Sequence, residues 1–98
     1  MDDAKARQAI QAHADAVVAG DFDHATADFT ESLRPQVPQI AQVLPQPVES
    51  AQVLSVEPDG EAAIAQIQYS GGGKDVTIRT RWTEEDDGTV RIQHGEPV

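Results

Sequence analysis

The first third of the chain repeats apolar and polar positions at helical spacing. Residues at steps of three and four share one face, namely Ala6, Ile10, His13 or Ala14, and Val17. This pattern predicts an amphipathic helix over residues 4–19. We expect Asp2 or Asp3 to cap its start and Gly20 to end it in the left-handed conformation.

A second helical stripe follows a short joint. Its apolar positions are Phe22, Ala25, Phe29 and Leu33. We expect Asp21 to cap this helix and Asp23 to interact favourably with the helix dipole. Pro35 disfavours helical geometry at the residue before it, so the helix is predicted to end near Leu33.

Residues 35–47 form a connector between two patterns. This connector contains four prolines and four glutamines. One apolar side remains, made of Val37, Ile40, Val43 and Leu44. Because proline is tolerated in the first turn of a helix, a short helix over residues 38–44 is predicted.

Beyond the connector the pattern becomes that of strands. Three turn signals divide it: Pro58-Asp59-Gly60, Ser70-Gly71-Gly72-Gly73 and Asp86-Asp87-Gly88. They predict four strands, near residues 48–57, 61–70, 74–85 and 89–96. Since short connections make sequential strands neighbours, the strands should form an antiparallel meander.

The last turn allows the register of two strands to be predicted. Val76, Ile78 and Trp82 share one face of the third strand, and Val90, Ile92 and His94 share one face of the fourth. A three-residue loop over 86–88 places Ile92 opposite Trp82. A two-residue loop would instead turn Arg91 toward the tryptophan, so parity selects the longer loop, with Gly88 left-handed.

These elements predict an α+β fold in which N-terminal helices pack on a bent four-stranded antiparallel meander sheet. In the second strand, Ile64 and Ile67 have opposite parity. A bulge near Ala65-Gln66 is expected to return both to the core and to bend the sheet. We expect a single domain over residues 1–98, with a helical half at 1–34, the connector at 35–47 and the sheet at 48–98.

The joint Gly20-Asp21-Phe22-Asp23 and the order of elements resemble the nuclear-transport-factor-two-like domains of the cystatin-like superfold. That family includes polyketide cyclases and steroid isomerases. The resemblance implies a cavity between helix and sheet, in which a histidine or carboxylate moves a proton next to a carbonyl. The connector stands where the family usually has extra strand pairing, so we expect a compact, shortened version.

Charge and composition exclude several classes of partner. The formal net charge is −10, from 17 acidic and 7 basic residues, which argues against nucleic acid and anionic membranes. There is no cysteine, no phosphate-binding loop and no histidine–carboxylate spacing of a metal site, so no cofactor or metal is expected. The start, Met1-Asp2-Asp3-Ala4-Lys5, lacks a signal pattern. We expect a cytoplasmic protein, with an exported mature form as the open alternative.

A few side chains could carry chemistry in the predicted cavity. His13 lies on or beside the stripe of the first helix, and His94 is predicted on the core face of the fourth strand; these are the weak catalytic candidates. Tyr69 and Trp82 could line a ligand pocket together with His94. Asp15 and Asp28 are the nearest acidic residues, and both are expected on the surface.

The opposite face of the sheet is predicted to carry cations. Arg79, Arg81 and Arg91 alternate outward with threonine and glutamine, and Ala51, Val53, Ala63 and Ala65 are expected beside them. Related domains often dimerise through this face. The three arginines are therefore candidates for a homodimer interface.

The sequence names no substrate and no ligand. Because no convergent set of polar residues is visible, we expect a small non-catalytic domain that binds a small ligand or another protein. The alternative is a small isomerase- or cyclase-type enzyme, with a histidine acid or base in the cavity between helix and sheet.

Overall fold

The computed structural model describes residues 2–98, which form helices followed by one sheet. The helices are α1 (Asp3–Ala19), α2 (Phe22–Ala27) and α3 (Val37–Ala41), with a 3-10 turn at Arg34–Gln36. The strands are β1 (Ser50–Asp59), β2 (Ala62–Gly71), β3 (Lys74–Glu84) and β4 (Val90–Pro97). They pair antiparallel in the order β1-β2-β3-β4. The α+β meander predicted from the sequence is confirmed.

The caps of the first two helices are those that the sequence predicts. The Asp2 carboxylate accepts a hydrogen bond from the Ala4 N–H, and the Asp21 carboxylate accepts one from the His24 N–H. Gly20 ends α1 with a φ of 76°. A residue with a Cβ is strained in that conformation, so glycine allows the sharp change of direction between the two helices.

The second helix is shorter than the stripe suggested. It ends at Ala27, because the backbone around Asp28 pairs with β4 instead of continuing the helix. Ile92 N–H donates to the Asp28 carbonyl at 2.7 Å, and Thr30 N–H donates to the Ile92 carbonyl at 2.9 Å. Phe29 still reaches the core through this bridge, but Phe22 is 55% exposed and does not belong to the buried stripe.

The register at the last turn is as predicted. Trp82 lies opposite Ile92, and Gly88 has a φ of 83°. Gly88 N–H donates to the Glu85 carbonyl, which closes the loop over residues 86–88. The turn chemistry therefore fixes which face of β4 enters the core up to Ile92.

The predicted bulge in β2 is wrong, because β2 alternates regularly along its whole length. Ala63, Ala65, Ile67 and Tyr69 all face the core, while Ile64 points to the other face. The register shifts instead in β1, where Leu54 is the extra residue, and in β4, where Gln93 is the extra residue.

The core lies between the helices and one face of the sheet. Its largest fully buried side chains include Ile10, Ile67, Trp82 and Ile92. Ala51 and Val53 pack against this core beside the buried Ala63 and Ala65. The expectation that these four residues lie on the outer face is therefore wrong. Within residues 2–98, no helix is long and apolar enough to cross a membrane.

Candidate functional site

A small, partly enclosed cavity lies between α1, the connector and the sheet; we call it the helix–sheet pocket. Its volume is about 50 Å³. Most of the residues that line it are apolar: Val17, Ala25, Phe29, Val37, Ile40, Ala41, Leu44, Ile78 and Gly95. Three lining residues have polar side chains: His13, Tyr69 and Thr80.

His13 is held in place from three sides. Its side chain is 5% exposed, and its ring meets the rings of Phe29 and Trp82 edge-on, with centroids 5.7 and 5.6 Å apart. Its Nδ1 lies 2.9 Å from Oδ2 of Asp28. The same carboxylate oxygen is 3.6 Å from His24 Nε2. Packing and the carboxylate together fix the orientation of the imidazole.

The Asp28 carboxylate also sets the roles of the two ring nitrogens. An ionised carboxylate only accepts hydrogen bonds, so His13 Nδ1–H must be the donor. In the neutral imidazole, Nε2 then carries a free lone pair. No partner for Nε2 is found among residues 2–98. Because no described side-chain nitrogen or oxygen is both sealed from solvent and without a partner, Nε2 retains access to open space.

Tyr69 contributes a second polar group to the pocket wall. The residue is only 3% exposed. No hydrogen bond of its hydroxyl is found in the described chain, and because no described side-chain oxygen is both sealed from solvent and without a partner, the hydroxyl retains access to open space. Burial, together with the charge of Asp28, raises the pKa of the Tyr69 phenol above its usual range. Tyr69 therefore stays protonated and offers an O–H donor.

Trp82 and Thr80 bond to each other, and neither has a donor hydrogen left for a ligand. Trp82 Nε1–H donates to Thr80 Oγ1 at 2.8 Å, and the Thr80 hydroxyl donates to the Ala65 carbonyl at 3.2 Å. Trp82 packs beside His13 and is not among the residues that line the pocket. Its role is therefore to anchor the core and support the imidazole.

Comparison with known proteins gives a likeness of fold. No protein-family model matches the chain, and no curated protein matches it. Among solved structures, the chain is similar to an "NTF-2 like protein of unknown function" from Burkholderia xenovorans LB400. The match has a TM-score of 0.69 and 19% identity, and covers 96% of this chain and 81% of the other.

The chain has the NTF2-like fold. The match supports the resemblance seen in the joint at residues 20–23 and in the order of the elements. At 19% identity, the match shows a shared fold and gives no information about activity. The helix–sheet pocket lies between the helices and the sheet, where the resemblance implied a cavity.

His94 is the candidate that the structure places elsewhere. It was expected on the core face of β4, but its side chain is 61% exposed. Its Nε2 lies 3.7 Å from Oε2 of Glu96. The bulge at Gln93 shifts the alternation by one residue, so His94 pairs with Arg81 on the outer face. Gly95 takes the inward position and lines the pocket. His94 therefore cannot act together with His13 in this NTF2-like domain.

The three arginines of the outer face have partners within the chain. Arg79 pairs with Glu96, and Arg81 pairs with Asp59. Arg91 pairs with Glu85 at 3.1 Å and donates to the carbonyl at the end of α2. On the outer face, the charges of Arg79 and Arg81 are thus neutralised by carboxylates of the same chain. Arg91 instead connects β4 to the end of α2.

Asp28 is the site residue that sequence reasoning missed. It was expected on the surface because it lies outside the stripe of a helix running to Leu33. Since α2 ends at Ala27, the Asp28 side chain is free to turn toward α1, where it is 20% exposed. The signal that could have found it is His13 itself, because a histidine on a buried stripe needs a polar partner. Asp15 is exposed, as expected, and accepts from Gln11.

Among residues 2–98, no three histidine or acidic side chains are grouped so that they could hold a metal ion.

Proposed function

We propose that this NTF2-like domain is a non-catalytic binding domain and that a small, mainly apolar molecule occupies the helix–sheet pocket. The observation that carries the proposal is a cavity with mainly apolar walls that His13 and Tyr69 also line. Binding pockets combine these two features, since apolar walls give affinity and a few polar groups fix orientation. Neither His13 Nε2 nor Tyr69 Oη has a partner in the described chain, so both are available to a ligand.

The size of the pocket limits the ligand. Its volume is about 50 Å³, whereas an engineered apolar cavity that binds benzene has about 150 Å³. The ligand is therefore a molecule of few heavy atoms, unless the connector moves outward. The connector supplies Val37, Ile40, Ala41 and Leu44 to the wall.

The binding proposal can be tested by titration with a small alcohol. We would follow the methyl NMR signals of Ile40 and Ile78 while adding 2-butanol, and expect saturable shifts. Ala41→Phe, which places a ring in the pocket, should abolish them. Gln39→Phe is the matched control, because Gln39 is exposed on the same short helix. Equal shifts in both variants would contradict binding in this pocket.

An acid–base enzyme is the second candidate. The observation that favours it is the bond from His13 Nδ1 to Asp28, which leaves Nε2 of a pocket-lining histidine as the nitrogen that could act as a base. Such a base would exchange the C–H protons beside a carbonyl. If the domain only binds, 2-butanone in D₂O exchanges its α-protons no faster with protein than in buffer. Faster exchange that is lost in His13→Gln would favour the enzyme.

We also propose that a second copy of the chain packs on the outer face of the sheet. In the described chain no helix covers this face, and it carries the half-buried Ile64. Arg79 and Arg81 are neutralised there by carboxylates of the same chain, so two copies can approach without strong repulsion between these charges.

Light scattering tests the dimer. We expect the wild type to have a dimeric mass and Arg81→Glu to be monomeric. Arg7→Glu is the control, because Arg7 lies on α1 and pairs with the exposed Asp3. A monomeric mass for the wild type would remove the proposal.

A further inference from the structure

The polar groups in the helix–sheet pocket restrict the chemistry of its ligand beyond the binding proposed above, on which this inference rests. Two groups on the wall lack partners in the described chain, and their roles differ. His13 Nε2 is an acceptor in the neutral imidazole, because Nδ1–H is used by Asp28. Tyr69 Oη is a donor, because the phenol stays protonated. Thr80 Oγ1 is already occupied by Trp82 and Ala65.

One functional group matches both roles at once. A hydroxyl donates one hydrogen bond and accepts others, so it can bond to Nε2 and to the tyrosine O–H together. A ketone or ether oxygen only accepts, and it would leave His13 Nε2 without a partner. Both residues line one cavity of about 50 Å³, so a ligand oxygen in that cavity lies beside both side chains.

The charges around the pocket exclude ionic ligands. No lysine or arginine side chain lines it, and the lining residue His13 is bonded to the carboxylate of Asp28. A carboxylate would be desolvated beside a negative charge. An ammonium group would lie among mainly apolar walls and would lose most of its hydration, with no carboxylate among the lining residues to replace it.

We propose that the ligand of the helix–sheet pocket is an uncharged alcohol with a short apolar body, whose hydroxyl donates to His13 Nε2 and accepts from Tyr69 Oη. The apolar body then lies against Ile40, Leu44 and Ile78, which line the same cavity.

Four small probes of similar size test this assignment. At pH 8 we would measure dissociation constants for 2-butanol, 2-butanone, 2-aminobutane and isobutyrate from the methyl signals of Ile40 and Ile78. The alcohol should bind most tightly. The ketone should bind roughly two- to tenfold more weakly, which is the effect of one net hydrogen bond. Neither ion should give a saturable shift.

A variant that removes only the Tyr69 hydroxyl oxygen tests the hydrogen bond to the ligand without disturbing the fold. Tyr69→Phe should weaken the binding of 2-butanol roughly two- to tenfold, and no hydrogen bond of the Tyr69 hydroxyl is found in the described chain that the change would break. His94→Gln is the control, since His94 is on the outer face. The fluorescence of Trp82, the only tryptophan, reports that each variant is folded.

The outcomes distinguish the two proposals. If none of the probes shifts the pocket methyl signals, the binding function itself fails. If the ketone or an ion binds as tightly as the alcohol, the pocket binds ligands but the chemical class is wrong. If 2-butanol binds equally well to Tyr69→Phe, the hydrogen-bond assignment is overturned.

Discussion

Tyr69 combines a buried ring with a hydroxyl that lacks a partner in the described chain. Its pKa is raised, first by burial and then by the charge of Asp28. The folded state therefore holds the phenol proton more tightly than the unfolded chain does. Stability is unaffected below the ordinary tyrosine pKa of about 10 and falls as the pH rises above it.

An alkaline titration checks this assignment. Because Tyr69 is the only tyrosine, absorbance at 295 nm reports its ionisation alone. We expect the absorbance to rise only when the protein unfolds, and we expect the loss of stability above pH 10 to be smaller in Tyr69→Phe. Ionisation near pH 10 in the folded protein would show that the hydroxyl is open to bulk water.

The bond between His13 and Asp28 should matter for stability as well as for the site. Asp28→Ala leaves a buried His13 Nδ1–H without its acceptor, which should lower the free energy of unfolding by about 1–3 kcal/mol. Asp15→Ala is the control, and it should change stability by less than about 0.5 kcal/mol because Asp15 is exposed. Urea unfolding measures both. Equal effects would mean that the bond contributes nothing specific.

The sequence predicted one member of this pair and not the other. His13 follows from helical spacing, because it shares a face with Ile10 and Val17. Asp28 does not follow, since its position depends on where α2 ends. α2 ends where it does because the backbone at Asp28 and Thr30 bonds to Ile92, which is 64 residues after Asp28. A local sequence pattern cannot predict such a distant contact.

Turn chemistry fixed the register of the strands, and bulges changed it beyond the turn. The loop over 86–88 places Ile92 opposite Trp82, as its parity predicts. Two residues later, the bulge at Gln93 turns His94 outward. A shift of one residue exchanges the two faces of a strand, and nothing in the alternation of β4 marks it. This is why His94, which was expected on the core face, lies on the outer face.

The close packing of the connector on β2 gives a prediction at the level of elements. A Cβ on Gly71 would collide with the backbone carbonyl oxygen of Pro47. Gly71→Ala should therefore destabilise the fold by about 3 kcal/mol or more. In Gly95→Ala the new Cβ would lie 3.8 Å from Thr80 Cγ2, an ordinary contact. We expect this control to cost less than about 1 kcal/mol. Similar melting temperatures for the two variants would refute the close approach.

For the whole molecule, the order of elements predicted the α+β meander, and its resemblance to known domains, together with the joint at residues 20–23, predicted the NTF2-like fold. Two capped helices, a proline-rich connector and three hairpin signals leave few topologies. The pocket was less predictable, because its volume depends on how the connector packs. The spacing of Val37, Ile40 and Leu44 is that of one helix face. This spacing does not predict whether the three side chains fill the space above His13 or leave a cavity there.

The net charge gives a further prediction for the whole molecule. The formal net charge is −10 on 98 residues, so the excess carboxylates repel one another in the compact folded state. Raising NaCl from about 0.02 to 0.5 M should therefore increase the free energy of unfolding, because the Debye length shrinks to a few ångströms. KCl should act equally, since screening depends on ionic strength. A decrease in stability would mean that surface ion pairs such as Lys5–Glu84 outweigh the repulsion.

We propose that the helix–sheet pocket receives a small alcohol between His13 and Tyr69. A crystal structure of the protein soaked in 2-butanol tests it most directly. We predict electron density in the pocket, with the alcohol oxygen within hydrogen-bond distance of both His13 Nε2 and Tyr69 Oη. A closed, empty core in which Tyr69 Oη bonds to another residue of the chain would contradict it.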